Sequence, residues 1–211
     1  MNLDQMRTLV RRDLHDEEAS AYRWSDAELD LHIQHAVGDL SLSSPLQATV
    51  SLDASAGSRD VPLGGVAGLI GVEAVEYPVG HYPPAYVQFS LWANALTLLV
   101  DAVPDGSEDA RLYYTKLHAL DGTASSLPPH MEELVVTGAG AYAALEWASF
   151  ATNRVNVGGA DTWQHYLSWG KERLVIFQRA LARLASNNRV RPRRLYAAVA
   201  PLPSQTTDWG P

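Results

Sequence analysis

The sequence predicts a mainly α protein: a four-helix bundle-like core, an inserted small antiparallel β module and an extended C-terminal arm. Three observations predict it. Apolar residues recur at three- and four-residue spacing in the first 45 residues and again after Leu127. Between them, β-branched and aromatic residues alternate, with Gly and Pro at short intervals. After Asn188 the chain carries four arginines and four prolines, and a helix does not continue through that proline spacing. The expected boundaries are 1–45 and 123–188 for the helical core, 46–122 for the β module and 189–211 for the arm.

The first helix is expected over residues 3–16, with Leu3, Met6, Val10 and Leu14 on its apolar stripe. The second opens on the strongest local signal. Ser25 and Glu28 have capping-box spacing, in which the serine accepts from a first-turn amide and the glutamate reaches back. Trp24 and Leu29 stand where a hydrophobic staple would place them. Leu29, Ile33, Ala36, Val37 and Leu40 then form a helical stripe to about Leu42, ended by Ser43, Ser44 and Pro45. Candidate strands are 48–52, 58–63, 69–77, 86–92, 95–103 and 110–117. The clearest hairpin is expected around Pro104, Asp105, Gly106 and Ser107. Pro128 and Pro129 suit the first turn of a third helix over 132–154, rich in Ala and carrying Gly138 and Gly140. A break at 156–159 precedes a last helix, capped by Asp161 with Gln164. Its stripe runs through Trp163, Tyr166, Leu167, Gly170, Leu174, Phe177, Leu181 and Leu184.

Composition narrows the function. A hydrophobic content of 46% is that of a folded chain. The longest apolar candidate for a membrane span, Leu91 to Val103, is interrupted by Asn94, Thr97 and Asp101, and no signal-peptide pattern opens the chain, so no membrane association is expected. The absence of cysteine removes disulfides, thiolate nucleophiles and cysteine-ligated zinc. A net charge of -8 argues against gripping nucleic acid over most of the surface, yet is compatible with a pore through which DNA slides.

No motif calls for a catalyst or a cofactor. Gly138-Ala139-Gly140-Ala141-Tyr142-Ala143 matches a dinucleotide fingerprint, with Asp161 about twenty residues on. That fingerprint requires a preceding strand, and here paired prolines and a helical pattern precede it, so helix packing is the expectation. His32 and His35 lie one turn apart without a third ligand nearby in sequence. Ser168 and Lys171 have Ser-x-x-Lys spacing inside a helix, without companion motifs. The cluster Arg189, Arg191, Arg193 and Arg194 reads either as a clamp for acidic groups or DNA phosphates, or as a solubilising stretch. The apolar residues that follow, Leu195, Tyr196 and Trp209 among them, favour protein docking.

The segment Tyr22-Arg23-Trp24-Ser25-Asp26-Ala27-Glu28-Leu29, following a short charged helix, resembles the opening of tailed-bacteriophage head–tail connector (adaptor) proteins. The run from Glu133 to Ala144 is similar to that family's small-residue third helix. Ala95 to Leu117, two strands about a Pro-Asp-Gly turn, resembles the β insertion of its larger members. The resemblance implies a non-enzymatic virion protein at the head–tail junction, made in the host cytoplasm. It implies a ring of twelve copies beneath the portal protein, which also meets a tail or stopper protein. DNA would pass through the ring without sequence-specific binding. On this reading Arg189, Arg191, Arg193, Arg194, Leu195, Tyr196 and Trp209 dock on the portal. Gly138, Gly140, Tyr142, Trp163, Tyr166 and Phe177 serve subunit packing. The alternatives are another neck or tail protein (stopper or tail completion) or a small nucleotide-binding enzyme.

Overall fold

In the computed structural model, which describes residues 1–151 and 162–188, the elements follow the order α1 (Leu3–Asp13), α2 (Asp26–Ser43), β1 (Leu46–Asp53), β2 (Asp60–Pro62), β3 (Leu69–Glu76), β4 (Tyr86–Val87), β5 (Phe89–Trp92), β6 (Ala95–Leu98), β7 (Asp109–Lys116), α3 (Pro129–Ala151) and α4 (Thr162–Asn188). Helix accounts for 44% of the described residues and strand for 22%. This corrects the expected fold class. The protein is α+β, with four helices and two antiparallel sheets, and not a mainly α four-helix bundle with a minor insertion. The physical reason is that the strands own a core. Val61, Val75, Leu96, Leu98, Ala110 and Leu112 are almost fully buried against one another, enough apolar surface to hold two sheets together. The expected arm at 189–211, the break at 156–159 and the cap at Asp161 lie outside the described residues.

The described residues group into two compact units: Met1–Leu46 with Lys116–Asn188, and Gln47–Thr115. In the first, the apolar stripes face inward. Met6, Val10, Leu29, Ile33, Leu40, Val135, Ala139, Ala143 and Phe177 are all fully buried. Each fully buried Leu, Ile or Phe contributes about 1.5–3 kcal/mol relative to exposure. α1 is capped by Asn2 with Gln5 and α2 by Ser25 with Glu28, both reciprocal capping boxes. α1 ends earlier than its stripe suggests. His15 turns left-handed at φ 54, and the Asp16 amide bonds back to the Arg11 carbonyl at 2.9 Å. By length and composition α3 is apolar enough to cross a membrane. Its apolar character is used inside this unit, where it packs against α1, α2 and α4. The chain leading into α3 is fastened by His118. Its ring lies 3.0 Å from the Ser44 carbonyl and 3.2 Å from Ser126, and its amide donates to the buried Ser41 hydroxyl at 3.0 Å.

In the second unit the sheets have orders β1-β7-β3-β4 and β2-β6-β5. The tight hairpin is β5–β6, closed by Trp92 opposite Ala95 around Ala93 (φ 52) and Asn94. The expected hairpin at 104–107 is a passage from one sheet to the other, since β6 and β7 do not pair. Its Gly106 (φ +86) lies where a Cβ would meet Ala56 at 3.0 Å, and the Gly57 amide donates to the Pro104 carbonyl at 2.9 Å. Loop-to-loop packing, not strand pairing, is what that turn chemistry serves.

Candidate functional site

The segment that carries the family resemblance is built as a joint. Arg11, on the last turn of α1, is buried and reaches three acceptors: Asp16 at 2.7 Å, the Trp24 carbonyl at 2.9 Å and Asp26 at 2.8 Å. Its guanidinium lies 3.6 Å from the centre of the Tyr22 ring. Asp16 also accepts from the Arg23 amide at 2.8 Å. One turn earlier, Arg7 holds Asp30 through two parallel bonds of 2.8 and 2.9 Å. The Arg11 bond, more than the neighbouring positive charges, holds the Asp26 carboxyl below the usual carboxylate range, and Ser25 does the same for Glu28. These pairs fix the angle at which the chain turns from α1 into α2.

Trp24 then plugs into an aromatic group. It is 2% exposed, tilted against Trp147 at 5.7 Å and edge-on to Tyr166 at 6.0 Å. The Tyr166 hydroxyl accepts from Arg23. On the next turns of α2, His32 lies 2.6 Å from Glu146, and His35 stacks on the Tyr142 ring at 4.1 Å. The Tyr142 hydroxyl donates to Asp39. Burial first, and then the bond and charge of Asp39, push the Tyr142 phenol well above its ordinary pKa. Both histidines are thus engaged by α3 side chains.

α3 and α4 meet through glycine. A Cβ on Gly138 would stand 2.8 Å from the Phe177 ring, and one on Gly170 would stand 3.1 Å from Leu145. A Cβ on Gly140 would be 3.5 Å from Trp169. The structure therefore places Gly138, Gly140, Tyr142, Tyr166 and Phe177, all expected at subunit contacts, in contacts within the chain. Trp163 lies half-buried near the start of α4. The Gly-x-Gly run lies in the interior of α3, well past its first turn, and not in a turn that joins a strand to a helix. The docking-arm residues Arg189, Arg191, Arg193, Arg194, Leu195, Tyr196 and Trp209 lie outside the described residues.

A cleft of about 320 Å³ opens between the end of α1 and α4, lined by Asp13, Leu14, His15, His165, Tyr166 and Trp169. Among the described residues no three His, Cys, Asp or Glu side chains converge as a metal site requires. In the second unit, buried Glu76 accepts from Tyr113 at 3.0 Å and pairs with Arg111 at 3.4 Å.

Some large apolar side chains stay in water. On α2 these are Leu31 (66% exposed) and Leu42 (69%), on α4 Val175 and Ile176, and at the β5–β6 hairpin Trp92 (84%) and Leu91. The stripe arithmetic found the buried face of α2 and said nothing of this one. Arg11, Asp16, Trp147 and Glu76 were also missed. Arg11 carries no sequence signal beyond an ordinary basic residue in a last helical turn.

No protein-family profile and no curated protein sequence matches the chain. Solved structures similar to it include a chain in the neck of an empty gene transfer agent particle computed with C6 symmetry, at 14% identity and TM-score 0.31, covering 80% of this chain and 88% of that one. A chain in the virion of a native gene transfer agent particle is similar at 15% identity and TM-score 0.29, covering 80% and 87%. Both neighbours belong to virion assemblies.

Proposed function

We propose that the chain is a structural, non-catalytic subunit of a tailed-phage neck: a head–tail adaptor that assembles side by side into a ring beneath the portal. The observation that carries this reading is the outer stripe of α2. Leu31 and Leu42 lie roughly three turns apart on one face, two-thirds exposed, with Gly38 between them and open space above it. A neighbouring helix laid along that stripe would cover both leucines, and each covered leucine contributes up to about 1.5–3 kcal/mol. Repetition around a closed ring multiplies the gain. The opposite face of α2 is core, so this helix is braced for such contact.

The arm at 189–211 supplies the portal contact in this reading, through its arginines and the apolar residues after them, and a tail or stopper protein joins on the other side. The chain's net negative charge suits a channel that DNA crosses without sticking. Two rivals fare worse. A β-dominated stopper would carry far less helix than 44%. A nucleotide-binding loop needs free space at its glycines, and the space at Gly138 is filled by Phe177.

The test is assembly with the cognate portal, read by negative-stain imaging and sedimentation velocity. Leu31→Glu with Leu42→Glu is expected to abolish ring formation while the circular-dichroism spectrum stays unchanged. Rings that persist would remove the lateral face from this reading. Deleting Arg189–Pro211 is expected to leave the fold intact and lose portal capture, and retained capture would reassign the arm.

A further inference from the structure

A ring needs two different adhesive patches on each copy. Head-to-tail contacts can continue around a circle, whereas a patch that meets its own copy stops at a pair. The α2 stripe of Leu31, Gly38 and Leu42 is therefore half of a contact. Its surroundings argue against self-pairing. α2 carries Asp26, Glu28, Asp30 and Asp39 and no lysine or arginine. Asp26 and Asp30 are paired with arginines of α1, while Glu28 and Asp39 lie along one flank of the stripe. Two such faces brought together would set carboxylates against carboxylates.

The other half lies across the helical unit. A groove of about 400 Å³ runs between the first turns of α3 and the last turns of α4. Met131, Leu134, Ala180 and Leu184 give it an apolar lining, with exposed Glu133 and Arg183 beside them. Ile176, 56% exposed, continues the same side of α4 one turn before Ala180. The groove faces away from α2. On α3, Tyr142 and Glu146 reach Asp39 and His32 of α2. At about 100° per residue, Thr137 and Glu133 of the groove stand about 140° and 180° round α3 from Tyr142. Stripe and groove thus lie on opposite flanks of one unit, the placement a head-to-tail contact requires.

Length and charge match as well. Leu31 to Leu42 is the same number of residues as Ile176 to Asn187, about 16 Å along each helix. α4 holds Lys171, Arg173, Arg179 and Arg183 against a single acid, Glu172. Arg173 is paired with Asp13 of α1, and Arg179 and Arg183 stand one turn apart at the groove end of the helix. A basic helix on one flank answers an acidic helix on the other. Gly38, with nothing within 4 Å of where its Cβ would stand, lets a neighbouring helix approach closely.

We propose that the α2 stripe of one copy seats in the α3–α4 groove of the next. Each subunit then presents Leu31 and Leu42 on one flank and receives its neighbour's pair on the other, against Leu134, Ile176, Ala180 and Leu184. This rests on the ring reading and supplies the receiving surface for its lateral face.

The chain has no cysteine, so each cysteine placed in it reports one contact. Full-length chain carrying Leu42→Cys with Ala180→Cys, assembled with the portal and treated with a short bismaleimide, should give a ladder of covalent oligomers on a denaturing gel. Either substitution alone should leave monomers, and an equal mixture of the two single variants should give dimers and nothing larger. Ile176→Glu with Ala180→Glu supplies an independent reading: circular dichroism should stay native while rings disappear from negative-stain images. Dimers from Leu42→Cys alone would mean that the stripe meets its own copy. Normal rings from the groove variant, or a double-cysteine variant that stays monomeric within rings, would mean that the stripe seats elsewhere. Any of these results overturns the proposal. The ring reading is judged separately, by whether the native chain forms rings with the portal at all.

Discussion

Replacing Gly138 by alanine tests the closest approach in the helical unit. The added Cβ would stand 2.8–2.9 Å from three atoms of the Phe177 ring, well inside van der Waals contact. The ring has little room to retreat, since Phe177 is fully buried and the Tyr142 ring lies edge-on to it at 6.2 Å. Overpacking of this kind costs about 1–3 kcal/mol. Against it, exchanging glycine for alanine inside a helix gains about 1 kcal/mol. The net expectation for G138A is a loss of up to about 2 kcal/mol. In a Phe177→Leu background the clash is relieved and the helix term remains, so the same substitution should stabilise by about 1 kcal/mol. A double-mutant cycle in urea, followed by tryptophan fluorescence, measures both steps, with an expected coupling of about 1–3 kcal/mol. If G138A stabilises both backgrounds equally, the helices do not meet at that glycine. Phe177 would then leave the space beside Gly138 open.

Other outcomes follow from the same geometry. Arg11→Ala strands the buried carboxylate of Asp16 and should cost about 3–5 kcal/mol in urea unfolding, with Arg11→Ala/Asp16→Asn costing clearly less. Ser25→Ala should cost about 0.5–2 kcal/mol, and it should raise the Glu28 pKa observed by carboxyl NMR. Because the folded-state pKa values of Asp26 and Glu28 are depressed, their contribution is present above about pH 4 and is lost as pH falls through the folded values. The urea midpoint of Ser25→Ala should accordingly depend less on pH between about 4 and 2 than that of the native chain. Tyr142 has a raised pKa, so its contribution is intact below about pH 10 and is lost above it. In an alkaline absorbance titration one tyrosine should ionise only with unfolding, and Tyr142→Phe should remove that late step.

What the sequence made legible follows from the range of the forces involved. The capping boxes and apolar stripes involve residues within one or two turns of each other, so Ser25 with Glu28, or Met6 with Val10, reads correctly from spacing alone. Local chemistry also found the turn at 104–107, because Pro, Asp and Gly force a bend there whatever follows. It could not say what the bend connects. Pairing is settled by the partners of β6 and β7, which lie elsewhere in the chain. The true hairpin went unseen because Ala93 adopts a positive φ that its side chain ordinarily disfavours, so tertiary context overrode the local preference.

The α+β class is hidden in the sequence for a related reason. Short strands broken by Gly and Pro look like an appendage, since no single one of them has an apolar face large enough to stand alone. Only when two sheets are laid together do Val61, Leu96, Leu98 and Leu112 become one core. The Gly-x-Gly run shows the reverse case. Its pattern was legible, and its meaning depended on one distant residue, Phe177, whose ring occupies the space that a bound phosphate would need. A small-residue motif is a statement about available volume, and what fills that volume is decided by whichever element packs there. In this chain α4 fills it, so Gly138 serves the fold, and the candidate surfaces for partners are the side chains the core leaves outside: Leu31 and Leu42 on α2, and Leu91 and Trp92 at the edge of β5.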